Sequence, residues 1–306
     1  MKKTSQTIVF FGSGPVAAES LRLLQQHCKI EAIVTKPSTE LEMKAVSSDT
    51  PIYTVSSKSE LDNLIQEKTF VSSYGILIDF GIIVSQNVIN TFEKGIINSH
   101  FSLLPEWRGA DPITFSILSG QKTTGVSLML LVEAMDEGPI LAFGLQDITP
   151  TTTGPELTKS LIYLSDGLLK TEIPRYVAGT TKLIAQEDIS NKMMLDYPNT
   201  PTYSRKLTKQ DGILDFNKSA KELEAEVRAF IEWPKSRTEI AGKDVVVLKA
   251  TADDDYTGDI GTIFKTESKQ IGIQTKQGAL IIEELKPAGK NAMPAKSFLA
   301  GYGNKL

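Results

Sequence analysis

The stretch TIVFFGSGPVAAESLRLL, Thr7–Leu24, sets the fold class. Residues 7–11 form an unbroken run of β-branched and aromatic side chains, the pattern of a strand buried on both faces. Gly-Ser-Gly then turns the chain. Pro15 fits a first helical turn, where its missing N–H has no partner to lose, and the apolar residues after it recur at helical spacing. A buried strand that passes through a glycine turn into a helix opens an α/β domain. Gly12 and Gly14 also satisfy a dinucleotide fingerprint. Such a site needs an acid at the end of the second strand to hold a ribose, and IEAIVT (30–35) ends in Thr35-Lys36 instead. The turn therefore reads as close packing, and an NAD-dependent oxidoreductase is the weaker reading.

Outward from that stretch the alternation continues. SSKSELDNLIQEK (56–68) reads as a helix opened by Ser57, with Glu60 completing a capping box. TFVSSYG (69–75) and GIINSH (95–100) read as buried strands with SQNVINTF (85–92) as a short helix between them. The fold class is thus α/β, Rossmann-like, with a mostly parallel sheet covered on both faces. TGVSLMLLV (124–132) and GPILAFGLQDI (138–148), joined by EAMDEG, resemble a hairpin, and a long helix over 153–179 closes a domain of residues 1–185. Residues 186–204 are polar and irregular, as a linker would be. Over 205–306 one amphipathic helix, KSAKELEAEVRAF, precedes five short strands split by Gly/Lys turns, which predicts a small antiparallel, OB-like barrel.

The bulk composition bounds the function. With 306 residues, 41% hydrophobic and 23% charged, the chain is long enough for two ordinary globular domains. The net charge of −4 argues against an indiscriminate polyanion binder. The balance is uneven, however: residues 204–306 carry 17 Lys/Arg against 15 Asp/Glu, the remainder 16 against 22. A faintly basic C-terminal part could face a polyanion. One cysteine, Cys28, excludes an internal disulfide and a cysteine-rich zinc site. No signal-peptide core and no apolar window long enough for a membrane span stand out, so the expected location is cytoplasmic.

Chemistry concentrates in IINSHFSLLPEWRGADP (96–112) and in AMDEGP (134–139). Residues two apart on a strand share a face, so Asn98 and His100 converge while Ser99 points away. Both sit where a parallel strand ends, the rim at which α/β sheets bind ligands. The loop after them is unusually apolar for a loop, which marks it as packed or ligand-facing. Asp136 lies in the turn between the two later apolar runs, within reach of the same rim. An amide can donate to a developing oxyanion, an imidazole can carry a proton near neutrality, and a carboxylate can orient or stabilise that imidazole. His100 lacks a second histidine at ligand spacing, so no metal is expected. On spacing alone, a satisfied polar histidine and ordinary turn chemistry stay open beside the catalytic reading.

Asn98-x-His100 followed by Ser102-Leu103-Leu104-Pro105, then Arg108-Gly109-Ala110-Asp111-Pro112, and later Met135-Asp136-Glu137-Gly138, resembles the folate-dependent formyltransferases. The resemblance spans nearly the whole chain. FFGSGPVAAESL looks like the family's first β–α turn, and TYSRKLTKQDGILDFNKSAKELEAEVRAFIEWPKS (202–236) like the start of its C-terminal barrel domain. It implies 10-formyltetrahydrofolate as donor and initiator methionyl-tRNA as acceptor, with the amine attacking the formyl carbon directly. It further implies that Asn98 and protonated His100 hold the tetrahedral oxygen, and that Asp136 stabilises the imidazolium and helps move a proton to the leaving nitrogen. Ser102, Leu103, Leu104 and Pro105 would match the stretch lining the folate, and Lys206, Lys209, Lys235 and Arg237 are candidates for tRNA phosphates. The chain is expected to act as a monomer. Two departures stand out: the segment TKPSTELEMKAVSSDTP (35–51) is shorter than the family's basic loop there, and Phe101 and Asp111 replace residues more often small or apolar. An amino-sugar nucleotide formyltransferase and a formyl-folate hydrolase would use much the same trio.

Overall fold

The structure, a computed structural model, describes residues 6–189 and 200–305. The chain groups into two compact units. One comprises Met1–Pro112, Thr123–Asp147 and Thr158–Arg205; the other Ile113–Lys122, Ile148–Leu157 and Lys206–Leu306.

In chain order the first part contains β1 (Gln6–Gly12), α1 (Gly14–Leu24), β2 (Cys28–Thr35), α2 (Glu40–Val46), β3 (Ile52–Thr54), α3 (Lys58–Glu67), β4 (Gly75–Ile78), α4 (Gln86–Thr91) and β5 (Ile96–His100). Then come β6 (Arg108–Gly109), α5 (Pro112–Leu118), β7 (Thr123–Leu130), β8 (Ile140–Asp147), the long α6 (Gly154–Val177) and β9 (Tyr203–Ser204). Seven strands make one sheet in the order β3-β2-β1-β4-β5-β7-β8. The first five run parallel, as their near-continuous apolar sequences imply, whereas β7 is antiparallel to both β5 and β8. One core cluster packs Val9, Phe11, Val34, Leu61, Phe80 and Phe92, with Phe11 edge-on to Phe80 and Phe92 at 5.8 and 5.9 Å.

The first glycine turn is packing geometry. A Cβ on Gly12 would lie 2.7 Å from that of Ala17 and 2.8 Å from the Ile78 carbonyl, so α1 and β4 crowd the turn and leave room only for hydrogen. Ser57 caps α3 as expected, accepting from the Glu60 N–H, but the Glu60 carboxylate accepts from the N–H of Ser56 rather than Ser57. One strand falls later than the sequence suggests: β4 occupies Gly75–Ile78, not 69–75. The Glu31 carboxylate accepts the N–H groups of Val71 and Ser72, each at 2.8 Å, and this capture diverts the segment from ladder pairing.

Cys28 is the first residue of β2, and it is buried. Burial pushes its thiol up to about 11, and the Asp166 carboxylate adds to the effect. Since the thiolate is the reactive form, raising the folded value suppresses reaction at pH 8 and unfolding restores it. Alkylation of Cys28 at that pH is expected to run at least ~10²-fold slower in the native protein than in denaturant. Comparable rates, followed by mass, would show the thiol to be exposed.

In the second unit, helix Ala220–Ala229 begins with a complete capping box between Ser219 and Glu222. Its buried Leu223 and Val227 join Ile271, Ile282, Leu285 and Phe298 in a separate core. That core lies on an antiparallel sheet of β10 (Arg237–Ile240), β11 (Lys243–Asp253), β12 (Ile263–Lys265), β13 (Ile271–Gln274), β14 (Ala279–Pro287) and β15 (Met293–Pro294). The order is β10-β11-β14-β13-β12, with β15 on β14. Among the described residues no pairing joins β10 to β12, so the sheet is a half-barrel.

Candidate active site

Asn98 and His100 occupy one face at the C-terminal end of β5 and are both buried, while Ser99 turns the other way to share a 2.7 Å hydrogen bond with Ser165 of α6. The period of two works here as the sequence requires. Asp136 arrives from the β7–β8 connection. Its Oδ1 accepts from Asn98 Nδ2 at 3.3 Å and lies 3.8 Å from His100 Nδ1, and its Oδ2 accepts the Gly109 N–H at 2.8 Å. Two side chains of β5 and one backbone N–H of β6 therefore converge on the Asp136 carboxylate.

The histidine's roles follow from its partners. Nε2 is 2.9 Å from the Trp107 carbonyl, which can only accept, so Nε2 carries a proton. Nδ1 is then the nitrogen whose protonation changes, and it is the one facing Asp136. Once protonated, the imidazole has a carboxylate at hand to stabilise its charge. Asn98 spends one amide N–H on Asp136 and has another to give.

The turn bearing Asp136 has an unusual backbone. Asp136 itself sits at φ +52°, in the left-handed region that Asp tolerates better than most residues. A Cβ on Gly138 would come within 1.7 Å of the Leu130 carbonyl, which restricts that position to glycine. Gly109, at φ +117°, lies in a comparable position: its Cβ would meet the Ser204 carbonyl at 2.2 Å where β6 pairs with β9. That pairing places the N–H which grips Asp136.

The loop leaving β5 is packed. Ser102, Leu103, Leu104 and Pro105 are all buried. Ser102 Oγ donates to the Glu106 carbonyl at 2.5 Å. Ser127 Oγ bridges the loop, accepting the Leu104 N–H and donating to the Ser102 carbonyl, and Leu104 packs with Met129, Ile140 and Ile189. The loop is thus tied to β7 through Ser127, with the side chains of Ser102 and Leu104 already engaged.

Three residues to which the sequence assigned no role, Arg108, Glu137 and Gln186, surround the Asp136 turn. Arg108, buried, pairs with Glu137 at 2.7 Å and donates to the Gln186 side chain, which in turn donates to the backbone of the Asp136 turn. Of the expected 186–204 linker, residues 190–199 lie outside the described residues; Gln186–Asp188 form a 3-10 turn and Tyr203–Ser204 form β9. In the segment 35–51, Pro37–Thr39 form a 3-10 turn leading into α2, on which Leu41 is exposed. The four basic candidates fall in the second unit. There Arg237 donates to the Lys209 carbonyl, and an open groove of ≈ 560 Å³ is lined by Lys235, Arg237 and Lys286 among others. No His/Cys/Asp/Glu cluster suited to a metal occurs among the described residues. No helix there is long and apolar enough to cross a membrane.

The arrangement brings an amide, an imidazole and a carboxylate together at the rim of an α/β sheet, groups able to donate hydrogen bonds and carry protons. Residues 6–170 match the formyl transferase family and residues 206–303 match the formyl transferase C-terminal domain, so the chain belongs to the formyl transferases and is an enzyme of formyl-group transfer. Its relatives include the methionyl-tRNA formyltransferase of Coxiella burnetii, 30% identical over 99% of this chain and 97% of that one. The methionyl-tRNA formyltransferase of Blochmanniella floridana is 34% identical over 97% and 94%. Among solved structures, an N-formyltransferase from Helicobacter canadensis, in complex with folinic acid and dTDP-3-aminofucose, superposes with a TM-score of 0.65 at 19% identity. That superposition covers 91% of this chain and 98% of that one, a likeness of fold.

Proposed function

We propose that the chain transfers the formyl group of 10-formyltetrahydrofolate to the α-amine of methionine charged on initiator tRNA, in the cytoplasm. The observation that carries the chemistry is the meeting of Asn98 and His100 on the carboxylate of Asp136. Full-length similarity to curated methionyl-tRNA formyltransferases supports the acceptor.

In this reading the neutral amine attacks the formyl carbon, forming a C–N bond and pushing the carbonyl electrons onto oxygen. The free N–H of Asn98 and the protonated Nδ1 of His100 stabilise that oxyanion. Asp136 balances the imidazolium and passes the amine's proton towards N10 of the folate. The C–N10 bond then breaks, giving the formamide and tetrahydrofolate. The Ser102–Pro105 loop lines the donor, with the side chains of Ser102 and Leu104 occupied elsewhere. No metal enters these steps. Lys206, Lys209, Lys235 and Arg237 would contact phosphates of the tRNA.

Incubation with radiolabelled 10-formyltetrahydrofolate and charged initiator tRNA is expected to give formyl-methionine on the tRNA. Transfer to an amino-sugar nucleotide but not to tRNA would overturn the acceptor. Release of formate at the same rate with and without an amine would make the enzyme a hydrolase.

A further inference from the structure

We infer that Gln186 is a positioning residue for formyl transfer, acting through the turn that carries Asp136. The inference rests on the catalytic reading of Asp136. Gln186 falls between the two segments that match the family, in a stretch whose sequence looks like linker. Yet it is 5% exposed, and its carboxamide is fully engaged. Oε1 accepts from Arg108 Nε at 3.3 Å and Nη2 at 2.7 Å. Nε2 donates to the carbonyls of Asp136 at 2.7 Å and Gly138 at 3.0 Å.

The orientation of that amide is fixed by chemistry. A guanidinium only donates and a carbonyl only accepts, so oxygen must face Arg108 and nitrogen must face the turn. Arg108 is itself held by Glu137, the residue between the two carbonyls that Gln186 grips. A closed circuit thus clamps Asp136-Glu137-Gly138 from both sides, at a place where Asp136 adopts a left-handed backbone that costs energy to maintain. The segment is delivered by a backbone bridge, in which Ile140 and Ile184 exchange N–H···O bonds of 2.8 and 3.0 Å. The carboxylate of Asp136 must meet Asn98, His100 and the Gly109 N–H together, and a small misplacement of such a group is costly in rate. Gln186 touches none of the reacting atoms; it fixes where Asp136 points.

A purely structural role would also place buried hydrogen bonds here, so the test must separate the two. Gln186→Ala is expected to lower kcat for transfer from 10-formyltetrahydrofolate to charged initiator tRNA by about 10–100-fold, with KM for the donor within threefold of wild type. In the Asp136→Asn background the same change is expected to cost threefold or less, because the group it positions is already disabled. An equal loss in both backgrounds, or a kcat within twofold of wild type in folded Gln186→Ala, overturns the inference. If Gln186→Ala does not fold, Gln186→Glu replaces it: it keeps the length and the contact with Arg108 but sets a carboxylate against two carbonyls. Its kcat is expected to fall at least tenfold at pH 8 and to recover towards wild type as pH drops and the side chain is protonated. A pH profile parallel to that of wild type overturns the inference. A fully active Asp136→Asn enzyme would instead end the catalytic reading beneath it, so the two failures are distinct.

Discussion

Replacing His100 with alanine is expected to lower kcat for formyl transfer by about 10³–10⁴-fold while leaving the fold intact. Two contributions vanish together. The protonated Nδ1 no longer stabilises the tetrahedral oxygen, worth about 3–4 kcal/mol for one such donor, and the proton it carries is no longer available. The fold should survive because His100 lies at the end of β5, where its ring makes a hydrogen bond to the Trp107 carbonyl and faces Asp136. Single-turnover transfer beside a thermal melt separates the two effects. A variant within tenfold of wild type would remove the imidazole from the mechanism.

Asp136→Asn is expected to cost about 10²–10³-fold in kcat with little change in KM. The substitution is nearly isosteric, and asparagine accepts a left-handed backbone as readily as aspartate, so φ +52° is not a barrier. What changes is charge and polarity. Asp136 accepts from Asn98 on one oxygen and from the Gly109 N–H on the other. An amide has one oxygen, so its NH2 must face one of those donors, and the imidazolium loses its counter-charge. Full activity in a folded variant would reduce Asp136 to turn chemistry.

Much of this was legible in the chain, and the parts that were not share a physical reason. Strand runs such as TIVFFG and GIINSH, and the helix signals after Pro15 and Ser57, are local, and they place the parallel sheet and its rim. The period of two by itself puts Asn98 and His100 on one face. The antiparallel β7–β8 pair was also visible, as two apolar runs around a polar turn. By contrast, Gln186 reaches Asp136 across 50 residues and Arg108 across 78, and nothing near it in sequence announces a buried amide. The same holds for Gly109, whose need for glycine comes from β9, nearly a hundred residues on. The misplacement of β4 also traces to a distant group, the carboxylate of Glu31. Spacing registers local periodicity; it does not register which distant carbonyl a side chain will meet.

The claim that Asn98, His100 and Asp136 form one catalytic unit is tested most directly by a double-mutant cycle. The kcat of wild type, His100→Ala, Asp136→Asn and the double variant would be measured for transfer from 10-formyltetrahydrofolate to charged initiator tRNA. If Asp136 works by stabilising the imidazolium, its removal after His100 is gone should cost tenfold or less, so the double variant stays close to His100→Ala. Fully multiplicative losses, about 10⁵-fold or more in the double variant, would contradict that unit and make the carboxylate and the imidazole independent.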